Sequence, residues 1–244
     1  MLKGIAAAAS GMLPRVRKQE AIANNLANSS TAGFKRDRVF LEDLSRAQAK
    51  LMKGEADWQI PPRAVSAIDF SQGTMERTDH ALDFGIVGDG FFVVSTPEGE
   101  RYTRNGHFAL SADGVLTTSE GDPVLGANGQ LQLPPGAIAV SETGVIAVDG
   151  RNAGSLRVAR FSDPKVLVRA GSSLLAVGTP GVAPENDVTS AVRQGFLESS
   201  NVSTIEEMVD MITTLRYFET DQKAIQMQDE TLGKAVNELG RVPA

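Results

Sequence analysis

The chain has no cysteine, two histidines, one tryptophan and two tyrosines among its 244 residues. Without cysteine there is no disulfide framework, no thiol nucleophile and no zinc site built on thiolates. His80 and His107 alone leave little for metal binding or general-base chemistry. No run of about 18 apolar residues occurs, so nothing reads as a membrane span and no membrane insertion is expected. The Ala-rich stretch Ala6–Ala9 is soon followed by Ser10, Arg15 and Arg17. That is not the long apolar core and cleavage site of a secretory signal, so no cleavable leader is expected. A basic surplus is missing too. Twenty-four Lys+Arg stand against 30 Asp+Glu, a formal charge of −6, whereas a generic nucleic-acid binder shows the reverse balance. No nucleic-acid partner is expected. Twenty-four glycines imply many turns.

The charge that is present is unevenly placed. Residues 1–36 carry a net +5 and residues 195–244 a net −5. Both ends read as helix, and oppositely charged helices attract. At the N-terminus, Leu2, Ile5, Ala9, Met12, Val16, Gln19, Ala23 and Leu26 follow heptad spacing. Pro14 interrupts the pattern and predicts a kink, or a helix that properly begins there. The helix should end near Asn28. At the C-terminus, Ser203 or Thr204 can cap a helix with Glu206 and Glu207 in its first turn. Met211, Phe218, Ile225, Leu232 and Leu239 recur every seven residues, beside a second row of Met208, Leu215, Gln222, Asp229 and Val236. So long a helix with one narrow stripe needs a helical partner.

The middle of the chain reads as strand. Phe91–Val94, Arg101–Arg104, His107–Leu110, Val115–Thr118, Val145–Val148 and Leu156–Phe161 are separated by turn dipeptides such as Asn105-Gly106, Asn128-Gly129 and Asp149-Gly150. Asn-Gly and Asp-Gly supply the positive φ of tight hairpins. Between the first helix and this region, Val39–Leu51 looks helical at first, before Gly54, Pro61 and Pro62 favour an extended connection. The expected fold is α+β: long N- and C-terminal helices forming a coiled-coil-like domain, with a central all-β domain of short hairpin-linked strands. The expected division is residues 1–36 for the first helix, 37–74 for a connecting segment, 75–192 for the β domain and 193–244 for the last helix.

Signals of chemistry are weak. Gly85, Gly88 and Gly90 suggest a phosphate loop, but strand sequence (Phe91–Val94) follows where a nucleotide loop would open a helix. Asp79, His80 and Asp83 make a poor metal site, and Ser10 and Ser95 lack a placed base. Neither metal, cofactor nor catalytic residue is expected.

Three strings are more specific. Asn24-Asn25-Leu26-Ala27-Asn28-Ser29-Ser30-Thr31-Ala32-Gly33-Phe34-Lys35 follows Ser10-Gly11-Met12. Gly88-Asp89-Gly90-Phe91-Phe92 precedes Tyr102-Thr103-Arg104-Asn105-Gly106. Gly195-Phe196-Leu197-Glu198-Ser199-Ser200-Asn201-Val202 leads into Glu206-Glu207-Met208-Val209-Asp210-Met211-Ile212. Together they resemble, in order and over nearly the whole chain, the bacterial flagellar rod and hook protein family. Leu215 replaces the glutamine usual before Arg216 in that family. The hook protein of the family is far longer, with inserted outer domains. The distal rod members have a longer segment after the first helix than the stretch of about forty residues between Lys35 and the β region here. The resemblance therefore favours a proximal rod member, with a distal one as the alternative. The resemblance implies a structural subunit of a helical drive shaft that crosses the periplasm. It implies copies of itself and other rod proteins as partners, and delivery by the flagellar export apparatus. The assembly residues expected are Leu2, Ile5, Met12, Val16, Asn24, Asn25, Leu26 and Asn28 in the first helix. In the second they are Met208, Met211, Ile212, Leu215, Phe218, Ile225, Leu232 and Leu239. A soluble binding module, dimerised by its helices, is the alternative of a different class.

Overall fold

The computed structural model describes residues 2–42, 63–171, 173–179, 181–187 and 189–239; side chains at 2–11, 40–42, 63–65, 232 and 235–239 are outside that description. The chain divides into two compact units. One comprises Met1–Ala27, Asp37–Ala67 and Ser203–Ala244, the other Asn28–Arg36 and Ile68–Val202.

The second unit is built around an antiparallel sheet of six strands. In spatial order these are Leu167–Arg169, Leu174–Val177, Gly99–Thr103, Phe91–Thr96, Val158–Arg160 and Glu185–Asn186. Phe91 to Val94 are all buried, because successive side chains point to opposite faces and both faces are covered. Phe92 and Val94 join a core of Phe84, Ile86, Phe108, Leu116, Ile146 and Val192. Phe91 and Val93 join Tyr102, Phe161, Leu167 and Leu175 on the other side. Edge-to-face rings fill both layers: Phe92 and Phe108 lie 5.2 Å apart, Tyr102 and Phe161 4.9 Å. Short hairpins complete the unit. One joins Val145–Val148 to Arg151–Ser155 through Asp149-Gly150, both at positive φ (50° and 77°), as a two-residue primed turn requires.

The first unit contains two helices, α1 (Leu2–Ala27) and α2 (Thr204–Leu239), with the paired strands Asp37–Glu42 and Arg63–Ile68. α1 runs through Pro14 as one helix. A proline removes one backbone bond without ending a helix that packing holds in place. At the start of α2 the Ser203 hydroxyl accepts from Glu206 N (3.5 Å) and the Ser203 carbonyl from Glu207 N (3.0 Å).

Two expectations are corrected here. Residues 39–42 are strand rather than helix, their β-branched and aromatic residues pairing with Arg63–Ile68; the remainder of Val39–Leu51 lies outside the described residues. The larger correction concerns fold class. The architecture is a mostly β central region with two helices, not a coiled-coil-like domain of long terminal helices on an apolar seam. α1 and α2 do pack together, but the face of α2 turned inward is half polar. Glu207 and Thr214 are buried, with Asp210, Met211, Phe218, Asp221, Ile225 and Gln228 half-buried. Met208, Ile212 and Leu215 are exposed. On α1 the buried positions are Pro14, Ile22 and Asn25, whereas Ala23 is exposed. The α1 seam is thus turned by one residue, about 100° of helix, from the apolar heptad row, and in α2 the Glu207, Thr214, Asp221 and Gln228 row replaces the Met208 and Leu215 row beside the half-buried Met211, Phe218 and Ile225.

Phe92 is fully enclosed, so Phe92→Ala should destabilise the β unit by ~3–5 kcal/mol. Urea unfolding followed through the near-ultraviolet aromatic signal measures it.

Candidate functional site

Within the helical unit the contacts fix direction. Asn25 meets Glu207, Lys18 meets Asp210 and Arg15 meets Asp221. As the number falls along α1 it rises along α2, so the pair is antiparallel. Lys18 Nζ stands 3.7 Å from Asp210, and Arg15 Nε 3.1 Å from Asp221, with the Arg15 guanidinium 4.9 Å above the Tyr217 ring. The basic and acidic helices therefore do lie side by side. These partly exposed ion pairs contribute only ~0.2–1 kcal/mol each.

The buried contact is of another kind. Asn25 is 1% exposed. Its Oδ1 accepts from Asp37 N at 2.8 Å, and its Nδ2 donates to Asp37 O at 2.9 Å and to Glu207 Oε1 at 3.2 Å. Both amide protons are thereby engaged. Asn24 reaches the Asp37 carboxylate at 3.3 Å. A helical asparagine here clasps the first residue of the following strand, which an aliphatic residue could not do.

Within the β unit, Glu198 plays the corresponding part. Its carboxylate is fully buried. Oε1 accepts from Lys35 Nζ at 2.5 Å and from Gly73 N at 2.8 Å, and Oε2 from Arg104 Nη1 at 3.2 Å. Lys35 also donates to Ser71 O (2.8 Å) and Arg104 to Gly88 O (2.6 Å). Arg104 lies 4.9 Å from the centre of the Phe91 ring. Burial pulls the Lys35 ammonium below the usual lysine value; the Glu198 carboxylate opposes this and the Arg104 charge adds to it. Burial lowers Arg104 likewise, against Glu198. Nearby, Asn201 Oδ1 accepts from Arg36 N (2.7 Å), and its Nδ2 donates to Asp69 O (2.9 Å) and Ser71 O (3.0 Å). Arg169 donates to Lys35 O at 2.6 Å and covers the Phe34 ring at 4.4 Å. Gly33 has φ +69°, and a Cβ there would lie 2.2 Å from the Arg104 backbone. Only glycine fits this approach.

The expected assembly residues fall into distinct environments. Asn25 is buried; Met12, Val16, Asn24, Leu26, Asn28, Met211, Phe218 and Ile225 are half-buried; Met208, Ile212 and Leu215 are exposed. The side chains of Leu2, Ile5, Leu232 and Leu239 lie outside the described set. Residues with structural work that the apolar count passed over are Ile22, Glu207, Thr214 and Asp221. Glu207, Thr214, Asp221 and Gln228 also recur every seven residues, and a heptad search admitting polar groups would have found them. The weak motifs are taken up by local structure. Gly85 sits in the strand Phe84–Val87. The Asp83 carboxylate meets His107 Nδ1 at 2.6 Å rather than His80, and Asp79 meets Arg77. Among the described residues no group of three or more metal-ligating side chains converges, and no helix is long and apolar enough to cross a membrane.

Fold and site together define a structural protein, with its buried acids holding backbone amides and cations in place. Comparison with known proteins makes the class specific. "Flagella basal body rod protein" matches residues 5–35, "Flagellar hook protein FlgE/F/G D1 domain" residues 85–148, and "Flagellar basal body rod FlgEFG protein C-terminal" residues 193–238. The flagellar basal-body rod protein FlgF of Caulobacter vibrioides is 31% identical over 93% of each chain. The rod protein FlgG of Borreliella burgdorferi is 35% identical over 97% of this chain and 98% of its own. That of Bacillus subtilis is 33% identical over 97% and 99%. The chain belongs to the flagellar basal-body rod protein family.

Glu198→Ala leaves two buried cations without their carboxylate and should cost ~3–5 kcal/mol. Replacing the triad together, Lys35→Met with Arg104→Met and Glu198→Leu, should recover most of that loss. Equilibrium unfolding of the full chain compares the two, and equal losses would show that the ions do not act as a unit.

Proposed function

We propose that this rod-family structural subunit belongs to the proximal, shorter class of rod protein and polymerises through its terminal helices to carry torque. The observation that carries the assembly reading is the outward face of α2. Ile205, Met208, Val209, Ile212 and Leu215 are 77, 50, 57, 54 and 39% exposed, while the polar row of the same helix faces α1. An apolar row left in water calls for a covering partner, and other rod subunits supply helices of the same kind. Contacts that repeat head to tail without closing generate a helical filament, in which torque is shared among many contacts. In this reading the subunit reaches its place across the periplasm through the flagellar export apparatus.

Length supports the shorter class. The Caulobacter FlgF relative aligns over 229 positions with equal coverage of both chains. The Borreliella FlgG alignment needs 268 positions, more than the 244 residues here, so that relative carries insertions. A catalytic role has no support in the buried carboxylates: Glu198, Glu207 and Asp83 all hydrogen-bond to structural partners. A ligand-binding role for the β unit finds little either. The groove beside Leu110, Leu133, Pro134 and Pro135 has no aromatic side chain in its lining.

Each apolar side chain buried by assembly contributes ~1.5–3 kcal/mol, so Ile212→Asp or Leu215→Asp should raise the critical concentration for polymerisation at least about tenfold. The helix pair and β unit should stay folded in both. Sedimentation and electron microscopy of the purified full-length chain read the outcome. Normal filaments from both variants would remove the outward row from the interface. Ile225→Asp differs in kind, because Ile225 is half-buried on the inward face; it should loosen α1 from α2 as well.

A further inference from the structure

We infer that the groove beside Gly114 and Leu133 in the β unit docks an extended strand of a partner protein, one with a β-branched apolar anchor and a cationic neighbour. An internal repeat, visible in the hydrogen bonds, carries this. Phe108–Leu110 pairs with Leu116–Thr118, and Ile138–Val140 with Val145–Val148; Leu110 faces Leu116 as Val140 faces Ile146, thirty residues further on. Each turn is closed in the same way. The Ser111 and Ser141 amides donate to the Val115 and Val145 carbonyls at 2.9 Å, and the serine hydroxyls accept from the same valine amides at 3.1 Å. Gly114 and Gly144 stand at φ +77° and +78°. Their carbonyls accept from Leu133 N and Leu156 N, both at 2.8 Å. In the second hairpin the surface so formed is covered by the strand Ala191–Gln194. Val192 N donates to Glu142 O at 2.9 Å, and Gln194 Oε1 accepts from Val140 N at 3.1 Å. A Cβ on Gly144 would lie 3.6 Å from Val192 Cγ2 and from Leu156 Cβ. Val192 is thereby buried.

In the first hairpin the same surface is bare among the described residues. Leu110, Ala112 and Gly114 stand where the second has Val140, Glu142 and Gly144. Ala112 is exposed and Leu110 is 37% exposed, and a Cβ on Gly114 would meet only the Leu133 carbonyl group within 4 Å. Ser111 N bonds to Val115 O, so the next pair, Leu110 with Leu116, is of the kind without hydrogen bonds, and the Leu110 N–H points away from it. A groove of about 680 Å³ results, lined by Leu110, Gly114, Leu133, Pro134 and Pro135. The covered hairpin states what fits. A β-branched residue takes the place of Val192 beside Gly114 and Leu133, its N–H donating to Ala112 O. Two residues on, a Gln or Asn offers its side-chain oxygen to the Leu110 N–H. Charge adds the rest. Asp113 replaces Thr143, is exposed, and forms no ion pair among the described residues, so a Lys or Arg near the anchor complements it. The lack of aromatic side chains tells against a compact ligand, not against a strand held by backbone groups and one anchor.

The chain's own covering strand supplies the probe, the peptide acetyl-Ser-Ala-Val-Arg-Gln-Gly-amide with the sequence of residues 190–195. Titrated into the isotope-labelled full-length chain, it should shift the amide resonances of Leu110, Ala112, Gly114 and Leu133 saturably, with half-saturation at or below about 1 mM. Aspartate in place of the peptide's valine should weaken binding at least about tenfold. Asp113→Lys in the protein, at an exposed turn position, should weaken it about threefold or more. The inference is overturned by the absence of saturable shifts, by equal binding of the aspartate peptide, or by undiminished binding to Asp113→Lys. Shifts centred on Glu142 and Gly144 overturn it too, since they mean exchange with the chain's own strand. So do concentration-dependent shifts of Leu110 and Gly114 without peptide, which put a second copy of the chain in the groove. None of these readings needs the chain to polymerise, so the result stands apart from the assembly proposed above.

Discussion

A carboxylate shut away from water, Glu198, is the constraint on which the β unit depends. Its partners come from three separate stretches of chain: Lys35 from the segment after α1, Gly73 from the loop before the first strand of the unit, and Arg104 from the end of a central strand. A buried charge is costly unless paired and hydrogen-bonded. No one of these stretches can move away without leaving a charge or amide unmatched. Such a triad adds little net stability over an apolar cluster of the same shape. What it supplies is position, since an apolar cluster could be reached by many arrangements and this one by few. Gly33, packed against the Arg104 backbone, and Asn201, holding Arg36, Asp69 and Ser71, tighten the same few residues.

Much of this was legible in the sequence as motif and little of it as geometry. Lys35, Arg104 and Glu198 each sit in a different one of the three family-like strings, and nothing in residue spacing says that the three meet. Pairings between residues 163 and 94 positions apart leave no periodic trace, whereas hairpins do. The strands around Phe91–Thr96, Gly99–Thr103 and Val145–Val148 were readable because turn dipeptides and alternation are local. The strand at Asp37–Glu42 was not. Its pattern over a few residues is compatible with one turn of helix, and only its partner at Arg63–Ile68 decides the matter.

The helices failed in a more instructive way. Counting apolar residues at heptad spacing assumes that the most apolar row faces the nearest partner. In α2 the assumption holds for one row and fails for the other: Met211, Phe218 and Ile225 are half-buried on the inward face, but beside them lie Glu207, Thr214, Asp221 and Gln228, while Met208, Ile212 and Leu215 turn away. Three of these inward polar groups have identified contacts. Glu207 accepts from Asn25, Thr214 returns its hydroxyl to Asp210 O in its own helix, and Asp221 pairs with Arg15. The heptad is present in the sequence, and hydrophobicity alone places one of its two rows and misplaces the other.

In the assembly proposed above, the two faces of α2 divide the labour of one helix. Directional hydrogen bonds suit an intrachain pairing that must adopt one geometry, because a displaced partner leaves a buried group unsatisfied. Apolar contact suits association between subunits, because it scales with area and tolerates small shifts in angle. A rod that transmits rotation needs both properties in different places: subunits that are internally rigid, and interfaces that yield slightly without coming apart. Were the rows exchanged, the proposed filament interface would have to desolvate carboxylates, each costing more than a single contact returns. Along the 36 residues of α2, a mixed face of Glu207, Thr214, Met211, Phe218 and Ile225 serves the pairing with α1, and Met208, Ile212 and Leu215 are left for the neighbouring subunit of the proposed assembly.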